Sequence, residues 1–91
     1  MSSIYVTQAP KGALVRIEEG GVTIATARVV GCYIDDLWVA PDQRGCGLGR
    51  LLVDRCIQQG ADLAIAVSDE AKHLFGRLGW KTANQLRWSL K

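Results

Sequence analysis

The sequence predicts an α+β domain, a mixed α/β sandwich built on a twisted mixed sheet of about five to six strands. The first third is rich in β-branched residues broken by glycines, the middle holds one long helical pattern from Leu48, and a nearly continuous apolar run, Asp62 to Val67, follows that helix closely. With 91 residues there is room for a single domain, 1–91, burying about 60 to 65% of its extended-chain surface.

Each element has its own signal. Ile4 to Gln8 fits a short first strand, closed by the turn signal APKG at Ala9 to Gly12. Ala13 to Glu19 and Val22 to Val30 are strand-like and flank Gly20-Gly21, a dipeptide able to take the positive φ angles of a tight hairpin turn. A further hairpin is expected to turn near Gly31. Cys32 to Val39 makes the next strand and ends at Ala40-Pro41, because proline has no N–H for the ladder. From Leu48 onward, Leu48, Leu51, Leu52, Cys56 and Ile57 mark one face of a helix that stops at Gly60. Asp62 to Val67 has the length and apolarity of a strand covered on both faces, and it completes a β-α-β unit whose strands lie side by side and parallel. Ser68 can cap a second helix that carries Asp69 and Glu70 in its first turn, runs to about Leu78 and stops at Gly79. Leu86, Trp88 and Leu90 alternate with Arg87, Ser89 and Lys91, the pattern of a last strand with one buried face.

Composition narrows function by exclusion. The 48% apolar and 22% charged residues are ordinary for a soluble globular protein, and no apolar run approaches the ~20 residues of a membrane span. The start, MSSIYVTQAP, has neither the basic nor the apolar region of a secretory signal, so a cytoplasmic location is expected. A net charge of +2, spread over scattered Lys and Arg residues, gives no electrostatic footprint for nucleic acid. Cys32, Cys46 and Cys56 are odd in number and lack any C-x-x-C, which argues against a disulfide framework and against a metal site.

The stretch RGCGLGRLL, Arg44 to Leu52, places Gly45, Gly47 and Gly49 where the helix begins. Glycine inside a helix costs about 1 kcal/mol relative to alanine, so this cluster points to a need for bare backbone. A strand running into a glycine-rich turn and a helix presents unpaired N–H groups at the positive end of the helix dipole, which suits phosphate. The G-x-G-x-G spacing matches neither the P-loop nor the dinucleotide fingerprint. Glycine spacing alone also fits a tight turn with close helix packing.

DLWVAPDQRGCGLGRLLVDRCI, Asp36 to Ile57, resembles the acyl-CoA-binding motif of the GNAT superfamily of N-acyltransferases. Leu37, Val39 and Pro41 fit its first part, and Arg44, Gly47 and Gly49 its second. AKHLFGRLGW resembles a second signature of that family, with Ala71, Leu74, Gly79 and Trp80 in place and Phe75 where tyrosine is usual. Together the motifs span Leu37 to Trp80. The resemblance implies a GNAT-like sheet and an N-acetyltransferase that passes acetyl from acetyl-CoA to a primary amine by direct attack, with no metal. It implies that the backbone from Arg44 through Gly45, Cys46, Gly47, Leu48 and Gly49 to Arg50 cradles the CoA pyrophosphate. Leu37, Trp38 and Val39 would carry the pantetheine arm where their strand splays from Leu63 to Val67. Val39 N–H would face the thioester oxygen.

Phe75 lacks the hydroxyl that protonates the leaving thiolate in many relatives. The chain is read as a short member without the usual N-terminal strand and the two helices that wall the acceptor site. Asp35 and Asp36 are the candidate bases, and strand alternation puts them on opposite faces. His73 reads as solvated, Tyr33 as packing, and Trp38 as exposed if the acceptor wall is missing. A homodimer would complete that wall. The second functional reading is a non-catalytic acyl-CoA-binding or protein-interaction module; the acceptor amine stays unnamed.

Overall fold

The β-branched first third folds into an antiparallel meander of β1 (Ser2–Ala9), β2 (Gly12–Glu19), β3 (Val22–Val30) and β4 (Tyr33–Val39). Gly20, Gly21 and Gly31 sit at positive φ in its turns, as the sequence predicts. A computed structural model describes residues 2–84 and 86–90, so the expectation for Lys91 lies outside the described residues. After β4 come α1 (Leu48–Gln58), β5 (Leu63–Ile65), α2 (Asp69–Arg77), β6 (Lys81–Thr82) and β7 (Arg87–Ser89). The strands form one sheet in the order β1-β2-β3-β4-β5-β7-β6, with β4 and β5 parallel and every other pair antiparallel.

Among the described residues the sheet has seven strands, above the expected five to six. The addition is β6, whose two residues pair with β7 through Lys81↔Ser89 and Thr82↔Trp88. A segment that short has no periodicity to read. β1 also starts earlier than expected, because Ser2 and Ser3 pair with Glu19 and Glu18 without contributing to the core. It passes to β2 through a turn at Pro10-Lys11, and among the described residues no helix precedes β4.

One face of the sheet carries the core. Val15, Ile17, Ala25, Ala27, Val29 and Ile34 are buried beneath Leu52, Val53 and Cys56 of α1. Alanines at 25 and 27 bring the helix close, and full burial of a side chain such as Leu52 is worth about 2 kcal/mol. Ile34, Ala64 and Trp88 are successive cross-strand partners and share this face. Phe75 of α2 packs there too, its ring 4.8 Å from Trp80 and 6.4 Å from Trp88. Both helices therefore cover the same face, and the molecule measures 38 × 31 × 17 Å, the thin dimension holding a sheet and one helical layer.

Two expectations change as a result. The run Asp62 to Val67 is not covered on both faces: only Leu63–Ile65 is strand, and Ile65 and Val67 are exposed. In the last strand, only Trp88 packs on the core, while Leu86 and Leu90 are exposed. The uncovered face displays Arg16 over the Tyr5 ring, Arg28, Trp38, and Arg87 over the Tyr33 ring. No helix among the described residues is long and apolar enough to cross a membrane.

Candidate functional site

β4 enters the site through a bulge. Arg28 pairs with Asp36 and Val29 with Ile34, which leaves Asp35 as the inserted residue. Alternation is reset: Ile34 and Leu37 face the core, while Trp38 is exposed. Asp35 and Asp36 thus lie on the same uncovered face, contrary to the expectation from plain alternation. Asp35 accepts two hydrogen bonds from Arg28, Nε to Oδ1 at 2.8 Å and Nη2 to Oδ2 at 3.0 Å. This bonding raises the pKa of Arg28 above its ordinary value, and the nearby charges of Asp35 and then Asp36 add to the effect.

Beyond the bulge, β4 separates from its parallel neighbour. The β4–β5 ladder has two pairs, Tyr33↔Leu63 and Ile34↔Ala64, after which the strands diverge. On the β5 side, Ala66 N–H turns to Leu86 O at 2.7 Å. On the β4 side, Ala40 N–H donates to Ile24 O at 2.8 Å, toward β3. Peptide groups alternate along a strand, so Val39 N–H and C=O point the other way, into the gap.

The chain then turns through Pro41–Gln43 into the glycine loop. Gly45 and Gly47 have φ of 82° and 83°, values that L side chains rarely adopt, and a Cβ on either would meet open space. Gly47 is the N-cap of α1, without a side-chain capping bond, so the first-turn N–H groups of the helix are left for other partners. Gly49 has a different reason to be bare: it lies inside α1, and a Cβ there would come within 2.8 Å of Leu74 Cδ2. Close helix packing thus accounts for Gly49, while Gly45 and Gly47 are set by their positive φ.

These parts border a groove of about 920 Å³. Leu37, Trp38, Val39, Arg44, Gly45, Gly47, Leu48, Gly49 and Arg50 line it together. Cys46, Asp35 and Asp36 do not; Cys46 is exposed beside the loop, its Sγ 3.9 Å from Arg44 O. The opposite wall is α2, with Ser68, Asp69, Glu70, Ala71, His73, Leu74 and Arg77. Ser68 caps this helix by accepting a hydrogen bond from Ala71 N–H at 3.1 Å. Ala71 and Leu74 had a sequence signal in AKHLFGRLGW, but Glu70, His73 and Arg77 had none as lining residues. Phe75 is absent from the lining and is buried against the two tryptophans, so a hydroxyl at its ring tip would not stand in the groove.

One side chain crosses the opening. Arg44 donates from Nε to Val39 O at 3.3 Å, and its Nη1 lies 2.6 Å from Glu70 Oε1. The guanidinium therefore bridges the end of β4 and the first turn of α2. Arg50 and Arg77 face the groove as well as Arg44, so its walls carry three guanidinium groups against the two carboxylates of Asp69 and Glu70, with His73 beside them. An open apolar slot leading to backbone donors and guanidinium groups can hold an extended, partly apolar ligand that ends in an anion.

Comparison with known proteins gives the family and the fold. A family model described as an acetyltransferase (GNAT) domain matches residues 3–82. The peptidyl-lysine N-acetyltransferase YjaB of Escherichia coli (strain K12) is 27% identical over 74 residues, covering 78% of this chain and 50% of YjaB. The chain thus spans about half the length of that curated relative. The solution structure of apo YjaB superposes with a TM-score of 0.66 at 20% identity, covering 89% of this chain and 66% of that one. The structure of yncA from Salmonella typhimurium, solved with its cofactor acetyl-CoA, gives a TM-score of 0.60 at 19% identity over 88% of this chain and 65% of its own. These structural likenesses establish the fold.

Proposed function

This chain belongs to the GNAT acetyltransferase family, and from that membership we propose that it transfers acetyl from acetyl-CoA to a primary amine, with protein lysine as the acceptor class. The observation that carries the reading is the gap between β4 and β5, which opens beside the glycine loop in one continuous groove. The pantetheine arm lies along Leu37 to Val39, and the pyrophosphate meets the backbone from Arg44 to Arg50 and the free N–H groups of α1. The amine nitrogen attacks the thioester carbonyl carbon, the carbonyl oxygen takes up negative charge facing Val39 N–H, and the C–S bond then breaks to release CoA thiolate. The proton lost by the amine passes to solvent or to a base.

Of the two candidate bases, Asp35 is held by Arg28, and Asp36 is the freer carboxylate. Asp36 lies on the same face as Trp38, about 7 Å along the strand, where it can draw a lysine ammonium toward the gap. The leaving thiolate departs without a tyrosine, since a thiol of pKa about 8.5 is a tolerable leaving group.

Thermal melting tests binding. Acetyl-CoA at a hundred times its Kd should stabilise the fold by about 2.7 kcal/mol and raise Tm on the order of 10 °C. Release of free CoA thiol with lysine-containing peptides then tests turnover. A melting shift without thiol release would favour the non-catalytic acyl-CoA-binding module, and no shift at millimolar acetyl-CoA would overturn the reading altogether.

A further inference from the structure

We infer that Glu70 is an internal counter-anion of the groove, holding the Arg44 guanidinium until the phosphates of the co-substrate displace it. The inference rests on the acetyl-CoA reading above and assigns Glu70 a role in setting how the groove discriminates among ligands. Arg44 is anchored at both ends of its reach: its Nε bonds Val39 O at 3.3 Å, and its Nη1 meets the Glu70 carboxylate at 2.6 Å. Val39 is the residue whose peptide groups face the β4–β5 gap, so the bond from Arg44 Nε to Val39 O sets the Arg44 side chain at the edge of that gap.

A carboxylate on the first turn of α2 is favoured by the helix dipole, and the Ser68 cap fixes the turn that presents it. Glu70 is nevertheless well exposed, so its hold on Arg44 is weak enough to exchange. A diphosphate brings at least two negative charges and also meets the N–H groups at the start of α1, whereas Glu70 offers one charge and cannot reach both. Ligands that carry phosphate can therefore take Arg44 from Glu70. Ligands without phosphate gain nothing from Arg44, whether Glu70 holds it or not. Asp69, the other acidic residue of the lining, has no ion pair with Arg44.

Calorimetric titration of the parent protein, Glu70→Gln, Arg44→Gln and the double variant tests this, with CoA and phosphate-free pantetheine as probes. Glu70→Gln should bind CoA about three-fold more tightly, the size expected for freeing one exposed ion pair. Its affinity should also fall more steeply with added salt, because one more uncompensated cation then faces the phosphates. Pantetheine affinity should not change, and the gain should disappear in the Arg44→Gln background. Equal CoA affinity for parent and Glu70→Gln would overturn the inference alone. A gain that persists without Arg44, or that extends to pantetheine, would also overturn it. Failure of every folded variant to bind CoA would overturn the acetyl-CoA reading and this inference with it.

Discussion

At the scale of single residues, the glycines of the loop differ in what they would lose to a methyl group. Gly47→Ala meets no protein atom but must hold φ near 83°, so it should cost about 1–2 kcal/mol of stability and weaken CoA binding by more than that loss explains. Gly49→Ala presses on Leu74 Cδ2, and its effect should depend on that side chain, shrinking in a Leu74→Ala background. Melting and CoA titration of these variants separate the two roles. Phe75→Tyr should not raise kcat, because the ring is buried among tryptophans; a hydroxyl left unpaired there should instead cost about 1–3 kcal/mol in a denaturant melt. Asp36→Asn should lower kcat/KM for a lysine peptide more than Asp35→Asn, which loses mainly its bonds to Arg28. The motif residues of the loop were legible because they sit in one continuous stretch. The common face of Asp35 and Asp36 was not, because one inserted residue reverses alternation and leaves no mark in the composition.

At the scale of elements, legibility followed length. α1 has three turns of apolar spacing, and β2 and β3 have eight and nine residues of strand, enough for a period to show. β5 and β7 have three residues each but lie inside longer apolar or alternating runs that announced them, whereas the two residues of β6 carry no period and owe their state to pairing with β7. The second wall of the groove was half legible: the Ser68 cap and acidic first turn announced a helix, but not that it would face the glycine loop. Ser68→Ala should cost about 1 kcal/mol and lower Tm by about 4–8 °C. Because the same turn carries Glu70, calorimetry should also find its CoA affinity altered, a coupling absent from a cap elsewhere.

At the scale of the whole molecule, stability rests on a single core, and Cys56 ties it to pH. Burial pushes the Cys56 thiol from its ordinary 9.0 up to about 12, so the folded state prefers the protonated form. The stability from this preference is complete below pH 9 and is lost as pH climbs toward 12, where the unfolded chain has already released its proton. Urea melts should show the advantage of the parent over Cys56→Ala shrinking across that range. The α+β class and the order of elements could be read in advance, since patterning sets them. The one-sided layering could not, because the exposed Ile65 and Val67 look in sequence like buried residues. That layering bears on selectivity. On the proposed acetyl transfer, an incoming amine meets the exposed Trp38 and Asp36 on the uncovered face of the sheet. On that reading, a lysine on a folded protein and one on a short peptide should react with similar kcat/KM, the rate following how far the side chain reaches out.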